Sequence, residues 1–327
     1  MTTLVDPFGR QINYLRLSVT DRCNLRCTYC MAEEMEFLPK SSVLSLEEMQ
    51  RIASAFVNLG VTKIRLTGGE PLIRQGIVEL SSSISALDGL KELTLTTNAV
   101  LLEKFAQPLA NAGVKRVNIS IDSLKPDRFK KLTRLGELDQ VLSGIEAARN
   151  ADFQAVKLNA VILSGQNDDE VIDLANFAIE RDLDISYIEE MPLGNISSHK
   201  REDTQHQSLD IRKTLAEHLE LTASAETTGG PSRYFRVTGS NTKIGFISPL
   251  SDNFCSSCNR VRLTTEGRLL LCLGNEHSVD LRAPLRDGVD DAELQDIIVQ
   301  AIGIKPERHY FDPEDTQILR FMSATGG

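Results

Sequence analysis

The sequence predicts an α/β fold, a partial (six-unit) parallel β/α barrel followed by a smaller C-terminal extension. Three observations carry that expectation. Short β-branched runs alternate six times with longer amphipathic stretches, and strands that recur between helical segments form parallel sheets with helices packed outside. The rhythm then stops in a polar stretch over 194–207. Past the turn signal Thr227-Thr228-Gly229-Gly230-Pro231 the chain changes character, with short strands, a cysteine-bearing segment and a helical tail.

Each element follows from its local pattern. Strands are expected at 14–19, 62–67, 92–97, 115–121, 155–162 and 184–191. The clearest helix runs over 45–59, where Ser45 and Glu48 have capping-box spacing and Gly60 fits the C-terminal stop. Asn167 and Glu170 repeat that spacing before another helix. One more helix is expected over about 208–219, then strands at 234–238 and 243–247 and a helix from about residue 292. The boundary falls near residue 225, giving segments 1–225 and 226–327.

Composition narrows the function. Lys and Arg number 36 against 46 Asp and Glu, a net charge of −10 over 327 residues. Such a balance excludes a general nucleic-acid coat, which needs a basic surplus, yet permits a few converging cations to hold a small anion. No stretch nears the ~18 apolar residues of a membrane span, and the N-terminus lacks a basic segment followed by an apolar run. The expectation is a cytoplasmic protein with reduced thiols, so its six cysteines need another explanation.

Cys23, Cys27 and Cys30 form a C-x3-C-x2-C set just after the first strand. A structural zinc site wants four ligands, and the nearest histidine, His199, lies far along the chain. A catalytic zinc would keep three ligands and a water; inert thiols are also open. An iron–sulfur cluster on three thiolates would leave one iron open to another ligand. Cys255, Cys258 and Cys272 form C-x2-C-x13-C in the extension, with His277 five residues beyond, so a Cys3His zinc site competes with a second cluster there. Asn259-Arg260-Val261-Arg262 puts two guanidiniums on one face of an extended segment, and guanidinium suits bidentate phosphate contacts.

In a parallel β/α barrel, ligands sit at the C-terminal strand ends. Candidates there are the first cysteine loop, Gly68 to Glu70, Thr96-Thr97-Asn98, Ser120 and Asp122, Lys157 and Asn159, and Glu189 and Met191. Thr67-Gly68-Gly69-Glu70-Pro71 is not a P-loop, because no Gly-Lys-Ser/Thr follows; its glycines permit a close backbone approach to a ligand.

The cysteine loop followed by Gly68-Gly69-Glu70 resembles the radical S-adenosylmethionine superfamily. The whole set is similar to the GTP 3′,8-cyclase family of molybdenum cofactor biosynthesis. That likeness covers Leu15 to Asp21, Arg65 to Pro71, Thr96-Thr97-Asn98, Asn118 to Leu124, Lys157-Leu158-Asn159, Cys255 to Arg262 with Cys272, and the terminal Gly326-Gly327. The resemblance implies two 4Fe–4S clusters, one on Cys23, Cys27 and Cys30 and one on Cys255, Cys258 and Cys272. It also implies S-adenosyl-L-methionine held by Tyr29, Gly69, Ser120 and Met191, and GTP held by Arg16, Arg65, Thr96, Lys157, Arg260, Val261 and Arg262, with Lys63 assisting. No general base is implied. An electron donor such as flavodoxin or ferredoxin would serve it, and cyclic pyranopterin monophosphate synthase would take the product; the chain would act as a monomer or homodimer. Three positions depart from the family pattern: Ser186 replaces an arginine, Ala99 a glycine, and Thr325 an isoleucine. A radical peptide-modifying maturase with an auxiliary cluster, and a zinc-stabilised binding module, are the competing readings.

Overall fold

The computed structural model describes residues 3–194, 196, 199–311 and 318–326. The six expected strands form as β1 (Tyr14–Ser18), β2 (Lys63–Thr67), β3 (Glu92–Thr97), β4 (Val114–Ser120), β5 (Ala155–Ile162) and β6 (Asp184–Glu189). They lie side by side in chain order, all parallel. Between them run α1 (Leu46–Asn58), α2 (Ile77–Ser85), α3 (Leu102–Asn111), α4 (Pro126–Thr133), α5 (Leu138–Asn150) and α6 (Val171–Ile179), and α7 (Ser208–Ala216) follows β6.

Strand alternation divides the chemistry. Leu15, Leu17, Ile64 and Leu66 are fully buried in the core, each contributing roughly 1.5–3 kcal/mol by leaving water. Their neighbours Tyr14, Arg16, Lys63 and Arg65 project from the opposite face into a chamber. A strand's period of two separates core from site in this way.

The strands that follow α7 do not stand apart from this sheet. β7 (Leu221–Ala223), β8 (Arg233–Val237) and β9 (Lys243–Ile247) attach beyond β6, while β10 (Arg260–Leu263), β11 (Arg268–Leu270) and β12 (Ser278–Asp280) attach beyond β1. The order is β12-β11-β10-β1-β2-β3-β4-β5-β6-β9-β8-β7, an open twelve-stranded sheet. Because β10 pairs parallel to β1 and β9 parallel to β6, the parallel run is longer than six strands, and antiparallel hairpins finish both edges. Residue 225 falls in the β7–β8 connection. α8 (Arg282–Arg286), α9 (Asp291–Ile302) and α10 (Met322–Thr325) close the chain.

Ser45 caps α1 as its spacing predicts, with reciprocal Ser45 and Glu48 bonds at 3.1 and 2.7 Å. Asn167 and Glu170 do not form a capping box. The Asn167 side chain accepts from Leu163 N and donates to the Asp122 and Val161 carbonyls, while Glu170 accepts from Ser123 Oγ and Leu124 N. Both side chains bind the neighbouring loop instead, and a 3-10 turn over Asp168–Glu170 follows Asn167 before α6 begins at Val171.

Candidate active site

Two parallel pairings align the cations of the chamber. Register sets Arg260 opposite Tyr14 and Tyr14 opposite Lys63; two residues on, Arg262 faces Arg16 and Arg16 faces Arg65. Five cations and one phenol thus form two rows across β10, β1 and β2. Like charges abreast on one sheet face repel, and the ionisations record it. Burial lowers Arg16 to about 10, opposed by Tyr14 and reinforced by Arg65 and Arg260. Arg262 lies well below the usual guanidinium value through burial and then the charges of Arg16 and Arg260. Burial would raise the Tyr14 phenol, but Arg65, Arg16 and Lys63 bring it down to about 7; Arg65 Nε donates to its oxygen at 2.6 Å.

The chamber encloses about 1150 Å³ of empty space, part of it open to solvent. Thr96, Lys157 and Val261 also line it, as do Met191, Cys255, Cys258 and Cys272. Every residue expected at the nucleotide is therefore on one wall system together with the second cysteine set. Lys157 Nζ donates to Ser186 Oγ at 3.2 Å and to Tyr234 Oη at 3.3 Å, and Ser186 Oγ lies 2.9 Å from Ser232 Oγ. Ser186 thus serves as a hydrogen-bond partner of Lys157 rather than as a cation. Tyr14, Asn118, Ser232 and Phe254 also face the chamber and were not singled out as ligand contacts from sequence. The alternation of Tyr14, Arg16 and Ser18 with Leu15, Leu17 and Val19 was the available signal for the first of them.

The first cysteine set lies outside that lining. Its loop turns tightly, with Cys30 N and Met31 N both bonding the Cys27 carbonyl, and Arg26 N and Thr28 N tie it to the end of α4 through Thr133 and Leu132. Leu25 N donates to Cys23 Sγ at 3.3 Å and Asn98 Nδ2 to the same sulfur at 3.8 Å. Tyr29 donates to Asp122 Oδ2 at 2.6 Å, and Val161 N supports the other carboxylate oxygen. Burial holds Asp122 up at about 6, against those two hydrogen bonds. Ser120 ends β4 in register with Asn159. Glu189, also at a strand end, is committed to structure: it accepts from Ser208 N, Leu250 N and Ser251.

Gly68 and Gly69 permit a close approach, but to this loop. A Cβ on Gly69 would sit 2.2 Å from the Arg22 carbonyl oxygen, and one on Gly68 2.4 Å from that of Thr20. Gly69 N and Glu70 N donate to those same carbonyls at 2.8 Å. The glycines therefore weld the second strand's loop to the first. Glu70 accepts from Thr97 Oγ1, Asn98 N and Leu72 N. Ala99 adopts a left-handed φ of 64°, the conformation glycine takes most cheaply.

The C-terminal segment reaches both cysteine sets. Met322 lines the chamber, Ser323 N donates to the Cys30 sulfur, and Arg262 Nη1 donates to the Gly326 carbonyl. Gly326 packs so closely on Thr67 that a Cβ would lie 2.1 Å from its methyl group. Thr325 bonds the Met322 carbonyl within the same turn. Gly327 lies outside the described residues.

Residues 17–178 match the model of the radical SAM superfamily, and residues 183–311 match that of Molybdenum Cofactor Synthesis C. Proteins named GTP 3′,8-cyclase from Pseudomonas entomophila (strain L48) and Pseudomonas putida (strain W619) are 60% and 58% identical to this chain, over 99% of it and 98% of their own length. The chain belongs to the GTP 3′,8-cyclase family. Among solved structures, Streptococcus suis SuiB bound to S-adenosylmethionine aligns with a TM-score of 0.58 at 16% identity, covering 84% of this chain and 64% of SuiB. That likeness is one of fold, and with the family model over 17–178 it gives an α/β radical SAM fold with an open, parallel-rich sheet. Among the described residues, no helix is long and apolar enough to cross a membrane.

Membership of the radical SAM superfamily implies a 4Fe–4S cluster and S-adenosylmethionine. Among the described residues no three His, Cys, Asp or Glu are already drawn in around a single ion, so the fit rests on donor chemistry. Cys23, Cys27 and Cys30 are soft thiol donors close enough to raise one another's ionisation, and N–H groups point at the Cys23 and Cys30 sulfurs. That set suits a thiolate-held cluster. Cys255, Cys258 and Cys272 likewise share one wall, whereas His277, the alternative zinc ligand, is exposed and off that wall.

Proposed function

We propose that this chain is a radical S-adenosylmethionine GTP 3′,8-cyclase, converting GTP to (8S)-3′,8-cyclo-7,8-dihydroguanosine 5′-triphosphate in molybdenum cofactor biosynthesis. The observation that carries the substrate is the pair of cation rows, Arg260-Tyr14-Lys63 and Arg262-Arg16-Arg65, facing the second cysteine set across one chamber. Repulsion built into an empty site is relieved by a polyanion, and a triphosphate supplies that charge. Lys157 and Thr96 extend the grip to the neighbouring strands, and Val261 takes its place in the wall beside them.

Cys23, Cys27 and Cys30 would hold the cluster that works with S-adenosylmethionine, and Cys255, Cys258 and Cys272 a second 4Fe–4S cluster facing the nucleotide base. When bound, the first cluster supplies the electron that cleaves S-adenosylmethionine, so the hydrogen abstraction from the ribose 3′ carbon needs no protein base. Gly69 spends its N–H on Thr20, which leaves its carbonyl as the group it can offer an ammonium of the cosubstrate. Tyr29, fixed by Asp122, Ser120 and Met191 complete that side. The protein's contribution is position: two carbons of one substrate, held at the base and at the triphosphate, gain the advantage of an intramolecular reaction. The tail through Gly326 sits against Thr67 and Arg262 and excludes water between the two sides. The 1–225 and 226–327 segments then divide the work, cosubstrate chiefly with the first and substrate base with the second. A flavodoxin- or ferredoxin-type donor and transfer of product to cyclic pyranopterin monophosphate synthase complete the reading, with the chain as a monomer or homodimer in the cytoplasm.

The test is an anaerobic incubation of reconstituted, reduced protein with S-adenosylmethionine and GTP. 5′-Deoxyadenosine and a cyclised nucleotide, formed together, are expected. Two bound zinc ions without sulfide, or consumption of a peptide in place of GTP, would overturn the reading.

A further inference from the structure

One buried charge is left unused by that account. Lys305 follows α9, is 2% exposed, and does not reach the chamber wall. Its ammonium donates to the carbonyl of Leu271, the residue before Cys272. Among the described residues no carboxylate pairs with it. The position is built rather than incidental. Lys305 N bonds the Ile302 carbonyl at 3.1 Å as α9 ends. Arg10, itself paired to Asp6, then fastens the next two residues, donating to the Pro306 carbonyl at 2.7 Å, the Glu307 carbonyl at 2.5 Å and the Cys255 carbonyl at 2.8 Å. One clamp therefore holds the lysine and the first cysteine of the second set in a fixed relation.

Removing an ammonium from water is costly unless a counter-charge stands beside it, and among the described residues no carboxylate does. The bond to Leu271 sets the ammonium one residue from Cys272, the Arg10 clamp ties its neighbours to Cys255, and thiols carry negative charge once they hold a metal. We propose that Lys305 is the resident counter-charge of the group formed on Cys255, Cys258 and Cys272, and that it raises the reduction potential of the iron–sulfur cluster there. The inference rests on the second-cluster reading above. A fixed cation beside a cluster favours its more negative, reduced state, net charge and surrounding dipoles being the protein's levers on potential.

The test uses full-length protein with Cys23, Cys27 and Cys30 changed to Ala, so that only the second set can load. Iron and sulfide bound in equal amounts support the second-cluster reading; their absence overturns it, and the inference with it. In the loaded protein, an EPR-monitored redox titration should show a lower potential for Lys305→Met than for the parent, with Lys305→Arg restoring it. Thermal melting supplies a readout that mere packing would not give. Without metal, Lys305→Met should melt at or above the parent, because a lone buried charge has gone; once loaded, it should melt below the parent. Far-UV circular dichroism establishes that the variants fold. A loaded Lys305→Met with unchanged potential, or a loss of melting temperature of equal size with and without metal, would overturn the counter-charge role and leave the second-cluster reading standing.

Discussion

The two cysteine sets share a residue type and sit in opposite electrostatic surroundings. Burial raises all three thiols of the first set, Cys23 to about 11, Cys30 to about 12 and Cys27 well above its ordinary value; Glu70 adds to the first, and Asp122 and the neighbouring thiols to the others. In the second set burial acts the same way, yet the charges of Lys305, Arg260 and Arg10 bring Cys258 below the ordinary thiol value. Cys272 stays raised by burial, with Lys305 opposing. The contrast matches two ligands of opposite sign. On the function proposed above, the carboxylates Glu70 and Asp122 near the first thiols would suit a cosubstrate bearing a sulfonium and an ammonium, and the chamber lined by Arg16, Arg65, Lys157, Arg260 and Arg262 a triphosphate. On that proposal, sorting by charge would keep each small molecule out of the other's seat, since a like-charge mismatch costs several kcal/mol.

The largest effect should come from removing one thiol of each set. Cys23→Ala is expected to abolish 5′-deoxyadenosine and cyclised nucleotide together. Cys272→Ala should leave S-adenosylmethionine cleavable while cyclisation falls below detection. Product analysis by liquid chromatography and mass spectrometry reads both. If the Cys272→Ala protein cyclises GTP at full rate, the two sets do not divide the labour and the comparison fails.

Next in size is the charge row itself. Arg16 stands between Arg262 and Arg65, so Arg16→Met relieves repulsion in the empty chamber and removes a central phosphate partner. We expect GTP affinity to fall roughly 10²-fold, within the range for losing one member of a desolvated charge pair, while the ligand-free protein melts at a higher temperature. Opposite signs for binding and stability are the mark of a strained recognition site. A variant that loses both would reduce Arg16 to a structural residue.

Much of this arrangement was legible before the structure, for a physical reason. Repeated strand–helix units, the Ser45–Glu48 capping box and the cysteine spacings are local, and local spacing fixes local geometry. The alignment of Arg262 with Arg16 is not local: β10 reaches β1 from 246 residues away in sequence, as Asn259–Asn13 does beside it, and only sheet register puts the two guanidiniums abreast. Lys305 was illegible for the same reason, since one lysine after a helix carries no sign of burial. The Asn167–Glu170 spacing misled because both side chains found partners on the Asp122–Leu124 loop, and tertiary hydrogen bonds outbid a local cap.

The smallest expected effect is a pH dependence that belongs to the second site alone. Three facing cations, Arg65, Arg16 and Lys63, bring the Tyr14 phenol to about 7 despite burial, with Lys63 5.2 Å above its ring. In free protein above that pH the phenolate cancels one positive charge of the rows. A bound triphosphate neutralises the same cations, and the phenol then returns toward its ordinary value near 10. The liganded state therefore binds more protons than the free state between about 7 and 10, so affinity must fall as pH rises through that window. Below pH 7 the phenol is protonated in both states and contributes no slope. Isothermal titration with GTP at pH 6.5, 7.5 and 8.5 should show a loss of up to about twentyfold across the series, the size set by a phenol moving from about 7 toward 10, with proton uptake visible as a dependence on buffer ionisation heat. Tyr14→Phe should flatten that slope and leave S-adenosylmethionine binding unmoved, because Tyr14 faces only the cation chamber. An unchanged slope in Tyr14→Phe would place the titrating group elsewhere and remove the phenol from the electrostatics that distinguish the two sites.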